Sequence, residues 1–168
     1  QQNAHPQFDC QKTLSIVHNG IVENHHELRK QLEASGHIFH SETDTEVIAH
    51  FLEALLLSHK TFKSAIVDLV NNLDGAYAFI SLIQGYPDQV VIVRKRSPIC
   101  IGIGDDEMFI ASDSLAFAGR TNKILFLPDE SFAIIKKDAI SLFDFSGKAL
   151  PLNVQEVKID WTATQKQG

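Results

Sequence analysis

Val47, Ile48, Phe51, Leu52, Leu55 and Leu56 recur at the spacing of one helix face, behind Thr43 and Glu46, which stand three residues apart as in a capping box. The pattern predicts a helix over about residues 44–57. Phe62, Ala65, Ile66, Leu69, Val70 and Leu73 repeat the i, i+3, i+4 pattern until Asp74-Gly75 ends it. This predicts a second helix, antiparallel to the first or nearly so. Leu28 and Leu32, with Gly36 as a stop, predict a shorter helix over residues 27–35.

Ahead of these helices, residues 14–17 form a short apolar run with Ser15 inside it, halted by Asn19-Gly20, a dipeptide able to take positive φ. A strand running into a tight turn is expected there. After Gly75 the chain turns to short runs rich in Val, Ile and Phe: 76–83, 90–94, 99–103, 108–111, 124–127, 132–135 and 139–143, broken by Ser146-Gly147. Mostly antiparallel strands follow. Helices gathered early and strands late predict an α+β layered domain rather than alternating parallel units.

At 168 residues, 44% hydrophobic and 21% charged, the chain can bury a substantial core as one globular unit. A net charge of -6 offers no positive field for nucleic acid or anionic lipid. The apolar runs fall far short of the roughly 20 residues a membrane-spanning helix needs, and nothing resembles a signal peptide. A soluble, cytoplasmic protein is expected, with no nucleic-acid or membrane partner. The chain opens Gln1-Gln2-Asn3 without Met and closes on a polar run, so both ends are expected to be cuts.

Two cysteines, Cys10 and Cys100, lack C-x-x-C spacing, which fits a reducing compartment. Cys100 lies in an apolar run and is read as core; Cys10 carries no local signature of a reactive thiolate. The eight histidines show no H-x-x-x-H or H-E-x-x-H spacing. Most are read as surface or turn residues, and neither a metal nor a cofactor is expected. Gly102-Ile103-Gly104 precedes Asp105, Asp106 and Glu107, which would repel a pyrophosphate, and is read as a hairpin turn.

Two places could carry chemistry. At Asn19-Gly20, a side-chain amide and a backbone N–H together could receive a developing oxyanion, or the pair could simply turn the chain. Asp44, at the start of the predicted helix, could serve the free N–H groups and the positive end of the dipole, or accept a hydrogen bond from a substrate ammonium.

An ordered set of segments adds a resemblance. Asn3-Ala4-His5-Pro6, His18-Asn19-Gly20-Ile21-Val22-Glu23-Asn24, Ser41-Glu42-Thr43-Asp44-Thr45-Glu46-Val47, Asp74-Gly75-Ala76-Tyr77, Arg96-Ser97-Pro98 and Ile110-Ala111-Ser112-Asp113 occur in turn. Together they resemble the glutaminase domain of the glucosamine-6-phosphate synthase family, within the class II glutamine amidotransferases; phosphoribosyl amidotransferases and asparagine synthetases fit less well. The resemblance covers about residues 3–145.

It implies an N-terminal-nucleophile hydrolase fold, a four-layer αββα sandwich, here incomplete because N-terminal strands are missing. It implies that Asn19 and Gly20 form the oxyanion hole, that Asp44 holds the α-amino group of glutamine, and that His5 lies near the glutamine pocket. The family's nucleophile is an N-terminal cysteine, absent here along with an Arg-Trp-Ala-Thr-His-Gly segment, so the chain is expected to be inactive alone.

Residues 1–153 would then be a partial glutamine amidotransferase domain. Residues 154–168 would be a linker toward an absent sugar-phosphate isomerase domain of the same parent chain. The parent would hydrolyse glutamine to convert fructose 6-phosphate to glucosamine 6-phosphate, as a homo-oligomer. The alternatives are a non-catalytic binding or assembly module of the same fold, and a glutaminase half serving another acceptor. Lost strands would also leave unpaired edges and an uncovered apolar face, favouring dimerisation, edge pairing or marginal stability.

Overall fold

The computed structural model describes residues 2–58 and 61–158. In chain order they form β1 (Gln7–Phe8), β2 (Leu14–Val22), α1 (His25–Ala34), α2 (Asp44–Ser58), α3 (Phe62–Asn72), β3 (Gly75–Ile83) and β4 (Val90–Lys95). There follow β5 (Cys100–Ile103), β6 (Met108–Ala111), a 3-10 turn (Ser114–Phe117), β7 (Lys123–Phe126), β8 (Ser131–Lys136), β9 (Ala139–Asp144), β10 (Ala149–Leu150) and β11 (Val154–Glu156). One sheet has the order β1-β2-β3-β4-β8-β9-β10 and the other β11-β7-β5-β6; each pairing is antiparallel.

The layers follow from the two-residue period of a strand. Phe79, Val91, Val93 and Phe132 of the large sheet turn toward Ile48, Leu52, Ile66 and Leu69 of α2 and α3. Their neighbours Ala78, Ile92 and Ala133 turn the other way, against Ile101 and Leu125 of the small sheet. These central strands are buried on both faces, which is why they read as continuous apolar runs. Outside the small sheet, Phe117 of the 3-10 turn packs on Cys100 and Ile124, on the side where the fourth layer of the sandwich belongs.

The expected elements are present within one or two residues, with three corrections. First, β2 does not end at Asn19-Gly20: it pairs with β3 without interruption from Leu14↔Ile83 to Val22↔Gly75. Gly20, at φ +116°, supplies a close approach rather than a reversal, because a Cβ there would lie 2.1 Å from the Ala76 carbonyl oxygen. Second, Gly102 belongs to β5, paired with Phe109 and Ile124. Its missing Cβ makes room for the Phe117 ring, which would otherwise stand 3.0 Å away; the hairpin turn begins at Gly104, whose N–H reaches the Glu107 carbonyl at 2.9 Å.

Third, the capping box is half formed. Thr43 Oγ1 accepts the Glu46 N–H at 3.2 Å, but the Glu46 carboxylate turns to the preceding loop, accepting from His40 N at 2.7 Å, Ser41 N at 2.6 Å and Ser41 Oγ at 2.7 Å. The short strands β1, β10 and β11 carry no pattern long enough to predict them. Of the stretch 154–168, Val154–Glu156 pairs with β7 as an edge strand, while the expected tether beyond residue 158 lies outside the described residues.

Candidate active site along the free edge of strand β2

The β2–β3 ladder decides where the backbone donors of β2 point. Gln84 N donates to Thr13 O at one end and Glu23 N to Asp74 O at the other, so the odd-numbered residues of β2 bond to β3. In an antiparallel pair the intervening N–H groups, those of His18, Gly20 and Val22, face the opposite edge. There β1 covers only Ser15 and Ile16. The Val22 N–H is taken by Asp44 Oδ2 at 2.8 Å, whereas the Gly20 N–H has no ladder partner among the described residues. The two donors are two residues apart on one strand, about 7 Å.

Asp44 is the first residue of α2, so the helix start positions the carboxylate at this strand edge. Its second oxygen lies 3.7 Å from His18 Nδ1. His18 and His5 meet at one hydroxyl: His18 Nδ1 and His5 Nε2 each lie 3.0 Å from Thr45 Oγ1. Burial pushes the His18 imidazole below its ordinary pKa; Asp44 opposes that shift and His5 adds to it. His18 is therefore held neutral, spanning Asp44 and Thr45 beneath the edge.

Asn19 faces away from this network. Leu14, Ile16 and Val22 point into the helix-side core, so by alternation Asn19 points to the opposite face with Val17 and Ile21. There it borders a cleft of about 190 Å³, between the two sheets, with Val17, Ala78, Ile80, Ile110 and Ser112. The four expected residues thus divide: His5 and Asp44 are linked through Thr45 and His18, while Asn19 and Gly20 stand at the adjoining strand segment. Thr45 and His18 were not singled out by sequence reading, since neither has a local spacing that betrays a partner 27 residues away.

Neither cysteine is an activated nucleophile. Burial, with Asp113 nearby, pushes the Cys100 thiol up to about 11. Cys10 is exposed, yet its thiol is also raised, through partial burial and the Glu53 carboxylate, against one opposing backbone hydrogen bond from Ile38. Two histidines stand apart from the surface or turn majority: His18 and His50 are 4% and 0% exposed, core residues.

The family model of the glutamine amidotransferase domain matches residues 1–119. The chain is 44% identical to the glutamine--fructose-6-phosphate aminotransferase (isomerizing) of Thermococcus kodakarensis, over 99% of this chain and 28% of that protein. It is 38% identical to the protein of the same name from Methanothermobacter thermautotrophicus, over 96% and 27%. Among solved structures, the glutamine phosphoribosylpyrophosphate amidotransferase of B. subtilis superposes with a TM-score of 0.70 at 30% identity, over 81% of this chain and 30% of that one. A glutamine aminotransferase class-II domain protein from silicibacter pomeroyi, at 16% identity and a TM-score of 0.61, shares the fold. This chain spans a little over a quarter of the curated relatives it matches. On the family match and these identities, the chain belongs to the glutamine amidotransferase domain family, built on the N-terminal-nucleophile hydrolase type of α+β sandwich.

Proposed function

We propose that this chain is the glutamine-hydrolysing part of an aminotransferase that converts fructose 6-phosphate to glucosamine 6-phosphate. The observation that carries this reading is the pairing, on one strand edge, of a Gly20 N–H without a ladder partner among the described residues and a Val22 N–H that holds the Asp44 carboxylate, the two donors about 7 Å apart. An extended glutamine bridges that span from its α-ammonium to its side-chain amide.

In this reading Asp44 accepts a charge-assisted hydrogen bond from the substrate ammonium. The Gly20 N–H and the Asn19 amide stabilise the oxyanion that develops as the amide carbon becomes tetrahedral. His5 borders the pocket through Thr45. The nucleophile is the cysteine that the family carries at its N-terminus, since Cys10 and Cys100 are both raised and neither borders Asn19. The 168-residue chain alone is then inactive. The hexosamine branch is favoured by the 44% identity to a fructose-6-phosphate aminotransferase against 30% to a phosphoribosylpyrophosphate amidotransferase.

Residues 1–153 form part of the glutaminase domain, Val154–Glu156 add an edge strand to it, and the stretch that follows leads toward a sugar-phosphate isomerase domain of the parent chain, which receives the ammonia. The parent is a cytoplasmic homo-oligomer needing no cofactor for this half-reaction; among the described residues no helix is long and apolar enough to cross a membrane.

The test is glutamate release from glutamine by this chain and by a version extended to the family's N-terminal cysteine, both checked for folding by circular dichroism. Activity in the extended form only, reduced by about 10²–10³-fold in Asn19→Ala, supports the reading. A folded extended form without activity would support the non-catalytic module instead, and activity of the present chain would move the nucleophile to Cys10.

A further inference from the structure

Away from the β2 edge, four side chains from three segments converge. Cys10 lies in the turn between β1 and β2, His37 just beyond the Gly36 that stops α1, and His50 and Glu53 one turn apart on α2. One donor atom from each, Cys10 Sγ, His37 Nδ1, His50 Nδ1 and a Glu53 carboxylate oxygen, all lie within 4.8 Å of one another. The sulfur is 3.5 Å from the His37 nitrogen and 3.3 Å from the His50 nitrogen, and the two nitrogens are 3.3 Å apart. Glu53 Oε2 is 3.1 Å from His37 Nδ1 and 3.5 Å from His50 Nδ1.

We propose that Cys10, His37, His50 and Glu53 form a binding site for one divalent transition metal of the thiolate- and imidazole-seeking kind, zinc above all. Zinc bonds of about 2.3 Å to sulfur and about 2.0–2.2 Å to nitrogen and oxygen give a tetrahedron with edges of roughly 3.3–3.6 Å. Five of the six donor separations, 3.1–3.5 Å, already have that size, and the sixth, from Cys10 to Glu53, lies within 4.8 Å.

Charge agrees with geometry. A thiolate and a carboxylate neutralise a divalent ion, and both imidazoles bind as neutral donors. Binding transfers the Cys10 thiol proton to solvent and forms the sulfur–metal bond in its place. The outer partner is also present: His50 Nε2, buried without a hydrogen-bond partner, faces Glu46 Oε1 at 3.6 Å. A metal on Nδ1 puts the ring proton on Nε2, directed at a carboxylate, the usual support of a metal-bound histidine.

All four positions come from protein, so the site is closed and structural rather than catalytic. The bound ion would staple the β1–β2 turn and the loop after α1 onto α2, the helix whose first turn holds Asp44. Cys10 is exposed, which leaves an entry path. The inference does not depend on the glutaminase reading.

The 168-residue protein, stripped with a chelator, is titrated with Co²⁺ and then with Zn²⁺. One equivalent of cobalt should give the intense visible bands of a four-coordinate ion and a thiolate-to-cobalt charge-transfer band, both lost when zinc displaces it. Cys10→Ser should abolish the charge-transfer band, and His37→Gln should weaken binding at least about tenfold, while His26→Gln changes nothing. Substoichiometric binding, a pale six-coordinate spectrum without a thiolate band, or full binding by C10S would overturn the proposal. The spectrum of the native protein decides the matter even if a variant fails to fold.

Discussion

His18 illustrates how one residue links the candidate site to stability. Its ring is nearly inaccessible, with Nδ1 facing both Asp44 and the Thr45 hydroxyl that is shared with His5. Because burial lowers its pKa, the folded protein binds a proton at this position less readily than the unfolded chain does. The contribution is therefore fully present above the unfolded value, about 6.5, and is lost as pH falls through the lower folded value. Thermal melts at decreasing pH should show the midpoint dropping from just below neutrality. The drop should flatten in His18→Asn, whose overall stability is lower; an unchanged slope in that variant would assign the acid sensitivity elsewhere.

At the scale of elements, the start of α2 depends on Glu46 more than on its cap. Burial raises the Glu46 carboxyl, but the hydrogen bonds from His40 and Ser41 outweigh it and hold the group below the ordinary range. Thr43→Ala removes one helix cap and should cost about 1 kcal/mol. Glu46→Ala strands the His40 and Ser41 N–H groups, at about 1–3 kcal/mol for each donor left without water, while the Ser41 hydroxyl keeps the Thr43 hydroxyl at 2.8 Å. Urea denaturation should rank E46A well below T43A. Equal midpoints would mean that the loop re-forms its hydrogen bonds with solvent. The same loop carries His37 to α2, so E46A also tests how far α2 depends on the segment before it.

The molecule as a whole leaves part of one face of β2 and the far end of β3 uncovered, beside the stretch where Ala78 packs on the small sheet. Val17, Ile21 and Leu82 are 46%, 65% and 54% exposed, and β6 is an edge strand of the small sheet. Exposed apolar surface beside an open sheet edge favours association with another strand. Size-exclusion chromatography with light scattering should find the isolated chain self-associating with rising concentration. Ile21→Lys should shift it toward monomer without lowering the melting temperature, since that side chain is already in water. A monomer at all concentrations would refute this.

The helices at 44–57 and 62–73, the seven longer strands of the second half and the α+β class were legible in the sequence, because each rests on a short-range period that the chain itself carries. Asn19, Gly20, Asp44 and His5 were singled out through the order of family segments. Local chemistry left each of the first three with an ordinary turn or helix-start explanation. Tertiary structure alone decided that Asn19-Gly20 continues a strand instead of ending it, since only the approach of Ala76 reveals why glycine is needed there. It also decided that Glu46 serves the loop rather than its own cap, and that His18 is core. Cys10, His37, His50 and Glu53 could not be joined by any local spacing, because their convergence follows from how β1, α1 and α2 pack, and contacts across 43 residues leave no period in the chain.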